Sequence, residues 1–141
     1  MTEEKPPFMN YRALFTGAIM LAALSLVMIA LVVLFEVDKA TAPQLLTLSA
    51  LWIAPGIYTA LQAKDGRLLH GMVMGVIGAF FVVLLINQSL LLFVSSGILQ
   101  QLAGDKAVVV IILGGLWGAI GGIFAEIVHL RRIKKVNKAV K

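Results

Sequence analysis

Residues 107–130 read AVVVIILGGLWGAIGGIFAEIVHL, a run of apolar and small residues with one carboxylate, Glu126, and no lysine or arginine. At a rise of about 1.5 Å per residue, a helix of this length measures about 36 Å and crosses a hydrocarbon core of about 30 Å with some tilt. Three similar blocks precede it: Ala13 to Phe35, Pro43 to Ala63 and Leu68 to Val94. Lipid offers no partner to backbone N–H and C=O groups, and the alternating polarity of membrane strands is absent, so each block is expected to be helical. The expected fold is an all-α membrane protein, a four-helix transmembrane bundle in one domain spanning residues 1–141, with a basic tail at 131–141.

Composition agrees with that reading. The chain is 60% hydrophobic and 13% charged, with a mean hydropathy of +0.99, far more apolar than a soluble domain. No polar stretch between the blocks is long enough for a separate soluble domain. The absence of cysteine excludes disulfides, a thiolate metal site and a thiol nucleophile. The first block is too long for a signal peptide and ends in Phe35-Glu36 rather than at a small-residue cleavage site, so it is read as a retained span.

Lysine and arginine set the expected orientation, because short basic loops stay on the cytoplasmic side. Lys5, Arg12, Lys64, Arg67, Arg131, Arg132, Lys134, Lys135, Lys138 and Lys141 fall on one side, and Lys39 and Lys106 on the other. Both termini are therefore expected in the cytoplasm, with the loops around Asp38 and Gly97 outside. The basic tail is expected to meet anionic lipid headgroups, an attraction of about 1 kcal/mol per basic residue. With no aromatic platform or recognition fold beside it, nucleic acid is not an expected partner.

Residues 51–60, LWIAPGIYTA, align with residues 116–125, LWGAIGGIFA, at a constant offset of 65, with five identities in ten. A duplicated helical hairpin would produce this pattern, giving two tandem hairpins related by a pseudo-two-fold axis along the membrane normal. Gly114, Gly118 and Gly122 recur at four-residue spacing in the fourth block, and Gly71, Gly75 and Gly78 mark the third. Such stripes of small residues, a glycine zipper, let helix backbones approach closely in lipid. They are expected to hold the bundle, or a homo-oligomer, together. Pro55 in the second block is expected to kink it next to Gly56.

Ionisable groups within the spans are few. Glu126 continues the glycine stripe by one four-residue step and is expected to face the interior, with His129 on nearly the same face and His70 opening the third block at the same end. A possible polar or ion site is therefore Glu126, His129 and His70, joined by Tyr58 and Gln62. The alternatives are a hydrogen-bonded network that closes the bundle with Arg67, a proton or cation relay, and a Glu-x-x-His metal motif at Glu126–His129, which a single copy without further carboxylates does not complete. Toward the other end, Asn87, Gln88, Ser89, Thr47 and Ser49 are expected to form interhelical hydrogen bonds. No nucleophile and base pair or phosphate loop is recognisable, so neither catalysis, a cofactor nor a bound metal is expected.

The segment GRLLHGMVMG at 66–75, with the glycine-bearing spans around it, resembles small uncharacterised four-span, glycine-rich integral membrane proteins of bacteria and archaea. The resemblance implies architecture and a prokaryotic plasma membrane, and no activity. The small multidrug exporters share the span count but carry a glutamate in the first span, which this chain lacks. The expected function is that of an accessory or scaffold subunit or a homo-oligomer, with a small ion- or proton-coupled transporter using Glu126 as the alternative.

Overall fold

The structure, a computed structural model, describes residues 8–91 and 97–141. Among the described residues six α-helices follow one another: α1 (Tyr11–Leu34), α2 (Ala42–Ser49), α3 (Ile53–Gln62), α4 (Arg67–Leu91), α5 (Gly97–Leu102) and α6 (Ala107–Val140). Four helical segments are long and apolar enough to cross a membrane: α1, α2 continuing into α3, α4, and α6. They pack up-down-up-down into a bundle, with no strand among the described residues. The end of the third expected block, Leu92 to Val94, lies outside the described residues.

Burial ranks the spans. In the most apolar stretch of α4 half the residues are buried, against 22% in α1, so α4 is the central helix and α1 the most exposed. α6 packs along α4 and α3, and α1 along α4 and α3, leaving α1 and α6 diagonally opposite.

Small residues on α4 explain how it serves two neighbours. A Cβ at Gly75 would run into the carbonyl of Gly114, and one at Gly71 into that of Gly118, so α4 and α6 touch backbone to backbone. On another side, a Cβ at Gly78 would lie 3.0 Å from Leu21 Cδ1 of α1. Gly122 fits against the backbone of Arg67 and Leu68, and Gly56 of α3 against Gly118 and Gly121 of α6. Gly56 and Gly121 are equivalent positions of the 65-residue offset, so the two matching segments meet there. All six glycines singled out from sequence thus make their close contacts within one chain. Backbone approach of this kind gains dispersion where lipid supplies no hydrophobic drive.

The second span is not α-helical throughout. It tightens into a 3-10 turn at Ala50–Trp52 before α3 begins, one turn ahead of Pro55 rather than beside Gly56. The proline ring crowds the carbonyl four residues earlier, that of Leu51, so the distortion falls in the preceding turn. Pro55 itself sits in the first turn of α3, where its missing N–H costs little.

Two tryptophans clamp this segment. Trp52 Nε1 donates to Ser25 Oγ of α1 at 3.1 Å, and Trp117 Nε1 of α6 donates to Ser49 Oγ at 2.8 Å. Each serine in turn donates to a carbonyl of its own helix, that of Leu21 or Leu46. The tryptophans are equivalent under the repeat, yet their serines are not: one lies on the first span and the other on the second. Ser25→Ala orphans a buried indole N–H and is expected to cost about 1 to 2 kcal/mol. Ser49→Ala should cost less, because Trp117 is only partly buried. Unfolding titrations of the two variants in mixed micelles check that ranking.

Candidate functional site

The end of the bundle that carries the chain's N-terminal side, the turn at 63–66 and the start of α4 holds most of the ionisable groups. Arg67 opens α4 with its side chain only 9% exposed, and its Nη1 lies 3.1 Å from Glu126 Oε2 of α6. The Glu126 side chain is 46% exposed. It flanks the α4–α6 contact rather than pointing into the bundle interior, a correction to the inward aim expected from its register. The Nε of Arg67 is buried with no hydrogen-bond partner, so the guanidinium is held by the carboxylate on one edge and desolvated on the other.

His70 faces another way. It is buried, and its Nδ1 lies 2.9 Å from the Gly66 carbonyl oxygen. With the proton on Nδ1 it donates to that carbonyl, leaving Nε2 to accept the Asn10 backbone N–H at 3.1 Å. Asn10 also caps α1, its Oδ1 accepting from the Ala13 N–H at 3.2 Å, while its Nδ2 donates to the Gln62 carbonyl at 3.4 Å. Phe8 packs against the His70 ring, with centroids 6.0 Å apart. Gly66 is needed beneath it on two counts: its φ is +64°, and a Cβ would lie 2.7 Å from Phe8 Cζ. Asn10 therefore ties α1, the end of α3 and α4 into one knot.

The polar cluster expected from sequence thus divides. Glu126 meets Arg67, and His70 meets Asn10 and Gly66. His129, partly buried, makes no hydrogen bond among the described residues, and no group of three His, Cys, Asp or Glu is placed to hold a metal ion among them. Gln62 takes part through its carbonyl only, and Tyr58 is exposed. The sequence reading missed Asn10. Its signal is an Asn immediately before a periodic apolar block, the pattern of an N-cap.

At the opposite end, Thr47 and Ser89 donate to carbonyls of their own helices, those of Pro43 and Leu85. Of the polar residues expected to bond between helices there, Ser49 does so, as the acceptor for Trp117. A cavity of about 110 Å³ lies in this half of the bundle, walled by residues including Met28, Ile29, Trp52, Ile86, Leu99 and Leu113. Its lining is almost wholly apolar, so it has no polar partners with which to hold water. The short helix α5 closes part of it with the buried Ile98 and Leu99.

Comparison with known proteins finds no matching family, no matching curated sequence and no matching solved structure. The fold itself defines the class: a multi-pass α-helical membrane protein.

Proposed function

We propose that this chain is a non-enzymatic membrane protein acting by association, as a small accessory or scaffold subunit of a prokaryotic plasma membrane, with both termini in the cytoplasm. One observation carries the reading. Each buried polar side chain, Ser25, Ser49, Thr59, Arg67 and His70, makes at least one hydrogen bond, with the Arg67 Nε alone left without a partner among the described residues, and the glycines are used in contacts between spans. Such an interior suits a rigid body more than a route for ions. The glycine faces being occupied within the chain, a partner would meet the exposed face of α1, which carries Phe15, Ile19 and Leu26.

Affinity purification from the native membrane in mild detergent, followed by native mass spectrometry, tests this directly. A stoichiometric membrane partner is expected; a strictly monomeric species with no partner would overturn the reading.

The orientation has its own test, made clean by the absence of native cysteine. A cysteine at Asp38 should react with a membrane-impermeant maleimide in intact cells, and one at Lys138 only after lysis. The reverse pattern would invert the topology.

A transporter reading draws support from the half-exposed carboxylate of Glu126, the one acidic group within a span. Proteoliposome flux that is lost in Glu126→Gln would favour it.

A further inference from the structure

The apolar cavity of about 110 Å³ has two kinds of wall. Val82, Ile86, Leu99 and Val110, from α4, α5 and α6, are buried and form its floor. Met28 and Val32 of α1 and Leu45 and Leu48 of α2 are half-buried or exposed and form its rim. The rim lies where two spans part. α1 packs on α3 but scarcely meets α2, and the second span changes course at the 3-10 turn of Ala50–Trp52. Trp52 holds the foot of this split by its bond to Ser25 of α1. At the other end a Cβ at Gly97 would run into the Asp38 carbonyl, so the start of α5 is pressed against the connection between α1 and α2. The cavity therefore opens sideways, between α1 and α2.

Depth, wall chemistry and size each restrict what enters there. Trp52 is the middle residue of the second span, Ala42–Gln62. Leu45 stands about 10 Å from it along the helix, inside a hydrocarbon half-thickness of about 15 Å, so the opening faces acyl chains. The polar side chains on the wall are spent within the protein. Trp52 donates to Ser25, Ser25 to the Leu21 carbonyl and Ser49 to the Leu46 carbonyl, while Ser49 accepts from Trp117. A polar ligand or water would find no partner. Drug-sized ligands occupy sites of about 300 to 1,000 Å³, whereas an apolar cavity of about 150 Å³ takes up benzene; the space here suits one narrow stretch of hydrocarbon.

We infer that this cavity is a binding site for the end of a lipid acyl chain, which enters from the bilayer between α1 and α2. The chain end gains dispersion against walls on several sides, the kind of attraction that still discriminates between contacts in an apolar solvent. The inference goes beyond the association reading and stands without it.

Trp52 lines the cavity and is only 6% exposed, so its fluorescence reports the occupant. In Trp117→Phe it is the sole tryptophan, and Ser49 keeps its bond to the Leu46 carbonyl. This variant is placed, one copy per disc, in nanodiscs of phosphatidylcholine brominated along its acyl chains, bromine being a contact quencher of indole. Emission is expected to fall at least two-fold relative to unbrominated lipid. Plugging the rim with Val32→Phe/Leu48→Phe should restore most of it, with elution volume and helicity kept. Should that double variant fail to fold, Leu45→Phe at the same rim makes the same comparison. Absence of quenching would overturn the inference, as would equal quenching in the plugged chain, which would mean contact with surrounding lipid only. Two further results would overturn it by assigning the cavity elsewhere. Quenching by added bromobenzene but not by brominated lipid would give it to a small free molecule. Loss of the lipid quenching in discs that hold two copies would give it to a second copy of the chain.

Discussion

Gly118→Val is expected to destabilise the bundle by about 3 kcal/mol, at the top of the range for overpacking a core. The new side chain would enter one of the close backbone contacts between α4 and α6. A Cβ there runs into the Gly71 carbonyl oxygen and comes within 3.1 Å of Gly75 Cα, both backbone atoms that no rotamer change can move. Relief would require α4 and α6 to separate along their length, which would also loosen Gly56 from Gly118 and Gly121. Gly115→Ala is the matched control. Its Cβ would meet only the tip of Val76, at 3.1 Å from Cγ2, and the gain in helix propensity over glycine of about 1 kcal/mol offsets that contact. Unfolding of both variants in mixed micelles should show Gly118→Val unfolded at denaturant levels that Gly115→Ala survives. Equal stability would mean that the α4–α6 backbone contact is not what holds the bundle.

Glu126→Gln is expected to cost about 1 to 2 kcal/mol, between the small value of an exposed ion pair and the larger one of a buried pair. Geometry sets that position. Arg67 is nearly buried and its Nε is already unpartnered, so loss of the carboxylate leaves a desolvated cation; Glu126 is half exposed, so water screens part of the loss. The double variant Arg67→Met/Glu126→Leu removes both charges and is expected to recover most of the stability, because an apolar pair has no desolvation to repay. A double-mutant cycle measures the coupling directly. If Glu126→Gln instead leaves stability unchanged and abolishes ion flux in proteoliposomes, the carboxylate is a coupling group and the transporter reading takes precedence.

How much was legible in the sequence follows from the range of the forces involved. Block length and hydropathy are local quantities, and they pointed to four apolar segments long enough to cross a membrane, which the fold has; they gave no sign that α6 continues to Val140. The glycine spacing at Gly71, Gly75, Gly114, Gly118 and Gly122 marked faces for close approach, because small side chains matter wherever a backbone comes near. It could not say which backbone, and the answer, a partner within the same chain, rests on how α4 is placed between α1 and α6. The same limit applied to the polar groups. His70 and Glu126 are near one another in helical register terms, yet one turns to Asn10 and the other to Arg67, each drawn by a partner about 60 residues away in the chain. The tail is a further case: its basic charge is legible residue by residue, while the unbroken run of α6 to Val140 is a property of the folded helix.

Sequence by itself determined the helical class and the four membrane-long apolar segments, since a bilayer leaves an apolar chain no other way to satisfy its backbone; the division of the second span into α2 and α3 and the short α5 came with the tertiary structure. Tertiary structure alone decided the pairings: Trp52 with Ser25, Trp117 with Ser49, Arg67 with Glu126, and α6 rather than another molecule against the glycines of α4. Those choices depend on crossing geometry between distant segments, to which no local pattern is sensitive.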